Sequence, residues 1–118
     1  MMSMTEPETT LTDGSPVTPD HRELKPNGQQ KAYVVLSAEE RAKGFVRSVR
    51  DKYKHVGRLQ EDGSRKGGCG QSTTMGWTIA ETYARDPKFY GGTFCCSCGI
   101  HKAVSEFFWD GTDEEVGS

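Results

Sequence analysis

The chain has 118 residues, 15 Lys and Arg against 17 Asp and Glu, and a mean hydropathy of -0.72. That is room for one domain at most, and 33% hydrophobic residues leave little for a core. No apolar run approaches the ~18 residues of a transmembrane helix, the acidic N-terminus lacks a secretory apolar region, and a pI near 5.9 gives no global pull towards nucleic acid or anionic lipid. The expectation is a small, soluble, intracellular protein without membrane contact. A core this thin needs a metal, a cross-link or a partner.

Residues 1–30 carry Pro7, Pro16, Pro19 and Pro26 among many Ser, Thr and acidic residues. Such a segment buries too little surface to offset its ordering entropy, so it is predicted disordered, with the domain at 31–118. Ala32–Leu36 reads as a short strand. Ser37 followed by Glu40 is a capping box that opens a short helix over about 38–43, stopped by Gly44. Phe45–Val56 is then extended, and Gly57–Gly70 is a polar, glycine-rich loop. Thr74 can cap a second helix, in which Met75, Ile79, Ala80, Tyr83 and Ala84 share a face, and Asp86-Pro87 ends it. Gly91-Gly92 turns the chain into Thr93-Phe94-Cys95. Ala103–Trp109 reads as a last strand, whose alternation points Phe108 away from Phe107 and Trp109 as an exposed aromatic contact.

Cys95-Cys96-Ser97-Cys98-Gly99 is the most informative string. Cys95 and Cys98 have the C-x-x-C spacing that lets two thiolates converge on one tetrahedral zinc from a tight turn. Cys96 is too close to Cys98 to share that ion. Cys69-Gly70 resembles half of a second knuckle, but its missing first half would be Lys66, so a histidine must complete the set. Either His55 or His101 makes a Cys3His site. His55 is preferred, because His101 follows Cys98 by only three residues and would strain the tetrahedron. His21 lies in the leader as an incidental solvated residue. A disulfide framework lacks a secretory context, a redox dithiol needs a following helix, and neither His-x-Glu nor His-Glu-x-x-His is present for catalytic zinc. The predicted fold is therefore α+β: a small domain stabilised by structural Zn2+, with a zinc-ribbon-like knuckle, short strands and two short helices.

Charge is uneven. Between Arg41 and Lys66 nine bases face three acids, a net of +6. On an extended strand Arg50, Lys52 and Lys54 share one face. Three phosphate contacts give a salt slope of only about -2.7 on duplex DNA, which is weak binding.

The strings LSAEERAKGFVR, KYKHVG, CGQSTTMG, ETYARDPKFYGGTFCCSC and FFWDGTDEEVGS resemble a family of small, uncharacterised zinc-binding proteins of tailed bacteriophages and prophages, over roughly residues 36–118. The resemblance implies metal binding through the positions of Cys69, Cys95 and Cys98, with both His55 and His101 matching. Lys102-Ala103 departs from an expected apolar pair. It also implies a setting in the host bacterial cytoplasm and no particular reaction. The expected function is a non-enzymatic accessory protein that binds a host or phage macromolecule, a protein in preference to a nucleic acid. The alternative is a nucleic-acid-binding zinc module that uses stretch 41–66.

Overall fold

A computed structural model describes residues 8–118. The elements in chain order are β1 (Thr9–Leu11), β2 (Val34–Leu36), α1 (Ala38–Arg41), β3 (Lys52–His55), β4 (Gly57–Leu59), β5 (Arg65–Gly67), β6 (Ser72–Thr74), α2 (Trp77–Arg85), β7 (Gly92–Cys95), β8 (Ile100–Ala103), a 3-10 turn at Val104–Glu106, and β9 (Phe107–Trp109). All strand pairs are antiparallel, and the class is α+β. The centre is a three-stranded sheet in the order β6-β3-β9, flanked by the hairpins β4-β5 and β7-β8 and by the pair β1-β2.

The alternation Lys52-Tyr53-Lys54-His55 makes β3 the organising strand. Tyr53 and His55 are buried on one face, and Lys52 and Lys54 lie on the other in solvent. Tyr53 sits opposite Thr73 of β6 and Trp109 of β9, and His55 sits opposite Phe107. Tyr53, Met75, Ala80, Tyr83, Cys95, Phe107, Trp109 and Val116 form the core. Their rings meet mostly edge to face, with Tyr53 against Phe107 at 5.2 Å and Tyr83 against Trp109 at 5.5 Å between centroids. That arrangement is worth about 0.5–1.5 kcal/mol per pair beyond burial. The Tyr53 hydroxyl donates to the Phe94 carbonyl and accepts from Thr93, which ties β3 to β7.

The disorder expected of residues 1–30 does not hold for residues 8–30; for residues 1–7 it lies outside the described residues. β1 pairs along β2 in the register Thr9 to Leu36, and Leu11 is buried. Composition misled here because the apolar edge Val34-Val35-Leu36 offers the leader a surface that the leader lacks on its own. Further along, Gly28 lies so close to Gly99 that a Cβ would stand 1.9 Å from the Gly99 carbonyl oxygen. Its φ of +90° also requires glycine.

Other expectations shift in detail. Ser37 caps α1 by accepting from the Glu40 amide, while the Glu40 carboxylate turns to Lys43 at 2.8 Å rather than back to the cap. Only Lys52–His55 of the stretch 45–56 is a strand. The loop 57–70 contains the hairpin β4-β5, closed by the turn Gln60–Ser64. Gly76, not Thr74, is the N-cap of α2, and Thr74 belongs to β6. The last strand is shortened to Phe107–Trp109 because residues 104–106 coil into the 3-10 turn. Phe108 does point away from its neighbours, but it is half-covered: the Arg65 guanidinium sits 4.8 Å from its ring centre. The acidic tail folds back on the sheet, with Glu114 on Arg50 at 3.1 Å, Glu115 on Arg65 at 2.8 Å, and Val116 in the core. No helix among the described residues is long and apolar enough to cross a membrane.

Candidate metal centre

Four side chains from separate parts of the chain meet at one edge of the core. They are His55 at the end of β3, Cys69 between β5 and β6, Cys95 at the end of β7, and Cys98 in the β7-β8 turn. One donor atom from each lies within 4.8 Å of all the others. The Cys69 and Cys95 sulfurs are 3.4 Å apart, and the Cys98 sulfur is 3.6 Å from His55 Nδ1. A disulfide needs about 2.05 Å, so these are free thiols. Tetrahedral zinc with sulfur arms of about 2.3 Å has edges of about 3.8 Å, close to both separations.

The backbone explains how the donors arrive there. Cys69 is held beside His55 by main-chain bonds from the two residues that follow it: the Gly70 amide donates to the His55 carbonyl at 2.9 Å, and the His55 amide donates to the Gln71 carbonyl at 3.2 Å. Gly68 allows this approach, since a Cβ there would stand 2.3 Å from the Val56 carbonyl carbon. On the other side, β7 and β8 run straight into the turn Cys96–Gly99, where the Gly99 amide donates to the Cys95 carbonyl at 2.8 Å. Gly99 takes a φ of +71°, which suits glycine. The Cys98 amide points at the Cys95 sulfur at 3.4 Å.

His55 is completely buried, with its ring tilted on Phe107. Its Nε2 lies 2.9 Å from the Glu106 carboxylate, while Nδ1 accepts from the Cys69 amide at 3.3 Å and faces the thiols. Both contacts select one tautomer, with the proton on Nε2 and the single Nδ1 lone pair on the side of the cluster, where a metal ion would take the place of the Cys69 amide. A carboxylate behind a ligating imidazole orients it and raises its basicity.

The electrostatics of the thiols also call for a cation. Burial raises the Cys69 thiol, but the Gln71 amide and hydrogen bonds with Cys95, His55 and Cys98 outweigh it and bring it down to about 6. Its bond with Cys95 and then burial push Cys98 up to about 11. Cys69 thus takes a negative charge readily, while Cys98 beside it resists one. A bound dication would remove that resistance and release the Cys98 proton.

His101 does not join the cluster. Its Nε2 is 2.9 Å from the Tyr33 hydroxyl, and its ring packs on Phe94. Cys96 also stays outside, exposed, with its thiol 3.4 Å from the Ser72 carbonyl. Of the expected contact residues, Arg50 is held by Glu114 and lies 4.8 Å over the Trp109 ring. Lys52 is 3.7 Å from Asp51, and Lys54 has no acid within 4.0 Å among the described residues. Glu106 is the site residue that sequence reasoning misses. A carboxylate 51 positions from its histidine leaves no spacing signal. Comparison with protein-family models, curated proteins and solved structures gives no match, so the reading of this site stands on its geometry.

Proposed function

We propose that the chain is a non-enzymatic binding module built around one structural zinc ion, held by His55, Cys69, Cys95 and Cys98 in a zinc-ribbon-like knuckle. The observation that carries this reading is the closed donor set: four side chains of the chain itself converge, so a tetrahedral ion keeps no open position for a substrate. Glu106, the carboxylate in contact with the donor set, is engaged by His55. Zinc fits three thiolates and an imidazole better than magnesium or calcium, which favour oxygen donors.

The same proposal includes a phage or prophage origin, action in the host bacterial cytoplasm, and a host or phage protein as partner. A protein partner is favoured over nucleic acid because five of the nine bases between Arg41 and Lys66 lie within 4.0 Å of an acid of this chain. The nucleic-acid reading draws on Lys54, Arg58 and Lys66, three of the four bases with no such acid among the described residues (Arg47 is the fourth), and on Phe108 beside Lys54 in the sheet register. Affinity capture from a bacterial lysate with and without nuclease tests the choice. Capture of a protein that survives nuclease supports the first reading. Sub-micromolar binding to DNA or RNA near 150 mM salt, abolished by charge reversal at Lys54, Arg58 and Lys66, promotes the second.

A further inference from the structure

An open cleft of about 320 Å³ lies between the folded leader and the β7-β8 hairpin. The leader lines it with His21, Arg22, Gln30 and Tyr33, and the rest of the domain adds Phe89 and His101. None of the four metal-centre residues lines it, and no acid among the described residues does. Main-chain bonds on either side of Arg22 hold it in place. The Ala32 amide donates to the His21 carbonyl at 3.1 Å, and the Lys31 amide donates to the Glu23 carbonyl at 2.6 Å. The Tyr33 hydroxyl, 2.9 Å from His101 Nε2, joins the two walls.

The charged and titratable groups of this cleft are uncommitted. None of the ion pairs among the described residues uses Arg22. Asp20, next to His21 in sequence, is held by Lys31 at 2.5 Å. The imidazole tautomers follow from their neighbours. Tyr33 accepts from the Gln30 amide at 3.3 Å, which leaves its own proton for His101 Nε2 and puts the proton of neutral His101 on Nδ1. His21 Nδ1 lies 2.7 Å from the Thr18 carbonyl, which only accepts, so the His21 proton sits there and Nε2 keeps its lone pair. Neither His101 Nδ1 nor His21 Nε2 has a hydrogen-bond partner among the described residues.

A guanidinium fork, an imidazole donor and an imidazole acceptor without a counter-charge match an anion that also carries a proton. The fork suits carboxylate and phosphate alike. An ionised carboxylate brings acceptors only, and leaves His21 Nε2 unmatched. A phosphate monoester has three oxygens and a second pKa of about 6, so it accepts from Arg22 and His101 and shares a proton with His21. Inorganic phosphate does the same but leaves the ring of Phe89 uncovered. The volume stands at the lower end of the range of about 300–1,000 Å³ for small-molecule sites.

We infer that this cleft binds a small organic phosphate monoester, with Arg22 and the two imidazoles on the phosphoryl group and Phe89 against the carbon skeleton. The inference goes beyond the zinc-module reading and stands apart from the choice between protein and nucleic acid as partner.

The test titrates the full chain at pH 7 with phenyl phosphate and follows the imidazole NMR signals. The chain has three histidines, so His55 serves as the internal reference. The His21 and His101 ring signals should shift saturably while the His55 signals stay. Benzoate and inorganic phosphate at matched ionic strength should bind about tenfold more weakly, or less. Arg22 is exposed and in no ion pair, so Arg22→Gln should keep the fold and lower the phenyl phosphate affinity about tenfold or more. Arg47→Gln, a base outside the cleft, should match the wild type. Absence of saturable shifts, equal binding of benzoate, or an unchanged affinity in Arg22→Gln overturns the inference. Inorganic phosphate binding as tightly as phenyl phosphate overturns the ester assignment.

Discussion

Replacing Glu106 by alanine should weaken zinc binding roughly 10–100-fold, as loss of a carboxylate behind a ligating histidine typically does. The structure gives the reason. The His55 side chain is fully buried and its Nε2–H has the Glu106 carboxylate at 2.9 Å, a side chain itself only 14% exposed. Removing the carboxylate leaves a buried donor unpaired, at a cost of about 1–3 kcal/mol. A 10–100-fold loss is about 1.4–2.7 kcal/mol, so the two estimates agree. The backbone role of this position is untouched, because the Val56 amide bonds to the Glu106 carbonyl rather than to its side chain. Glu106→Gln keeps an acceptor and loses only the charge, so its loss should stay under about tenfold. Competition against a chromophoric chelator at pH 7 measures all three proteins, with circular dichroism as the check on folding. A folded Glu106→Ala protein within twofold of the wild-type affinity would refute the assignment of His55 as an oriented ligand.

Other outcomes follow from the same geometry. His55→Ala should lose zinc and His101→Ala should keep it, as read by metal content after gel filtration; the reverse result would move the fourth ligand to His101. Gly68→Ala should displace Cys69 and cost at least tenfold in zinc affinity, because the added Cβ meets backbone at 2.3 Å and nothing there can yield. A chain that begins at Lys31 should lose about 2 kcal/mol or more from the burial of Leu11 alone, a drop of roughly 8 °C or more in melting temperature; an unchanged melting curve would show that β1 contributes nothing. Burial lowers the His101 pKa below 6.5, so its contribution to stability is full above 6.5 and is lost as pH falls through the folded value. The fall in melting temperature from pH 7.5 to 5.5 should therefore be smaller in His101→Gln than in the wild type, and equal falls would contradict this.

How legible the site was depended on distance along the chain. The C-x-x-C of Cys95 and Cys98 is local, and the tight turn that joins β7 to β8 is enough to bring its sulfurs together. His55 was readable only by elimination, because His101 follows Cys98 too closely; the structure adds the alternation of β3 that buries it. Cys69 was harder, since its approach depends on Gly68 fitting against Val56, a tertiary contact with only a glycine to mark it. Glu106 was invisible, because its contact with His55 joins positions 51 residues apart. The leader shows the same limit in the fold: its composition describes the segment alone, while its order comes from the open edge of β2. The acidic residues Glu114 and Glu115 carry no spacing signal for their partners Arg50 and Arg65, which lie 64 and 50 positions away. Arg50 and Arg65 draw them onto the sheet and so consume part of the basic surface that the charge count placed between residues 41 and 66.

The most direct test of the account is the metal itself. Native mass spectrometry of the full chain, followed by chelation monitored by near-ultraviolet circular dichroism, should show one zinc per chain and loss of the aromatic signal on its removal. Structural zinc in finger peptides contributes an apparent 10–16 kcal/mol or so, enough to decide whether so thin a core folds. A protein that carries no zinc and keeps its full signal in excess chelator would contradict the account.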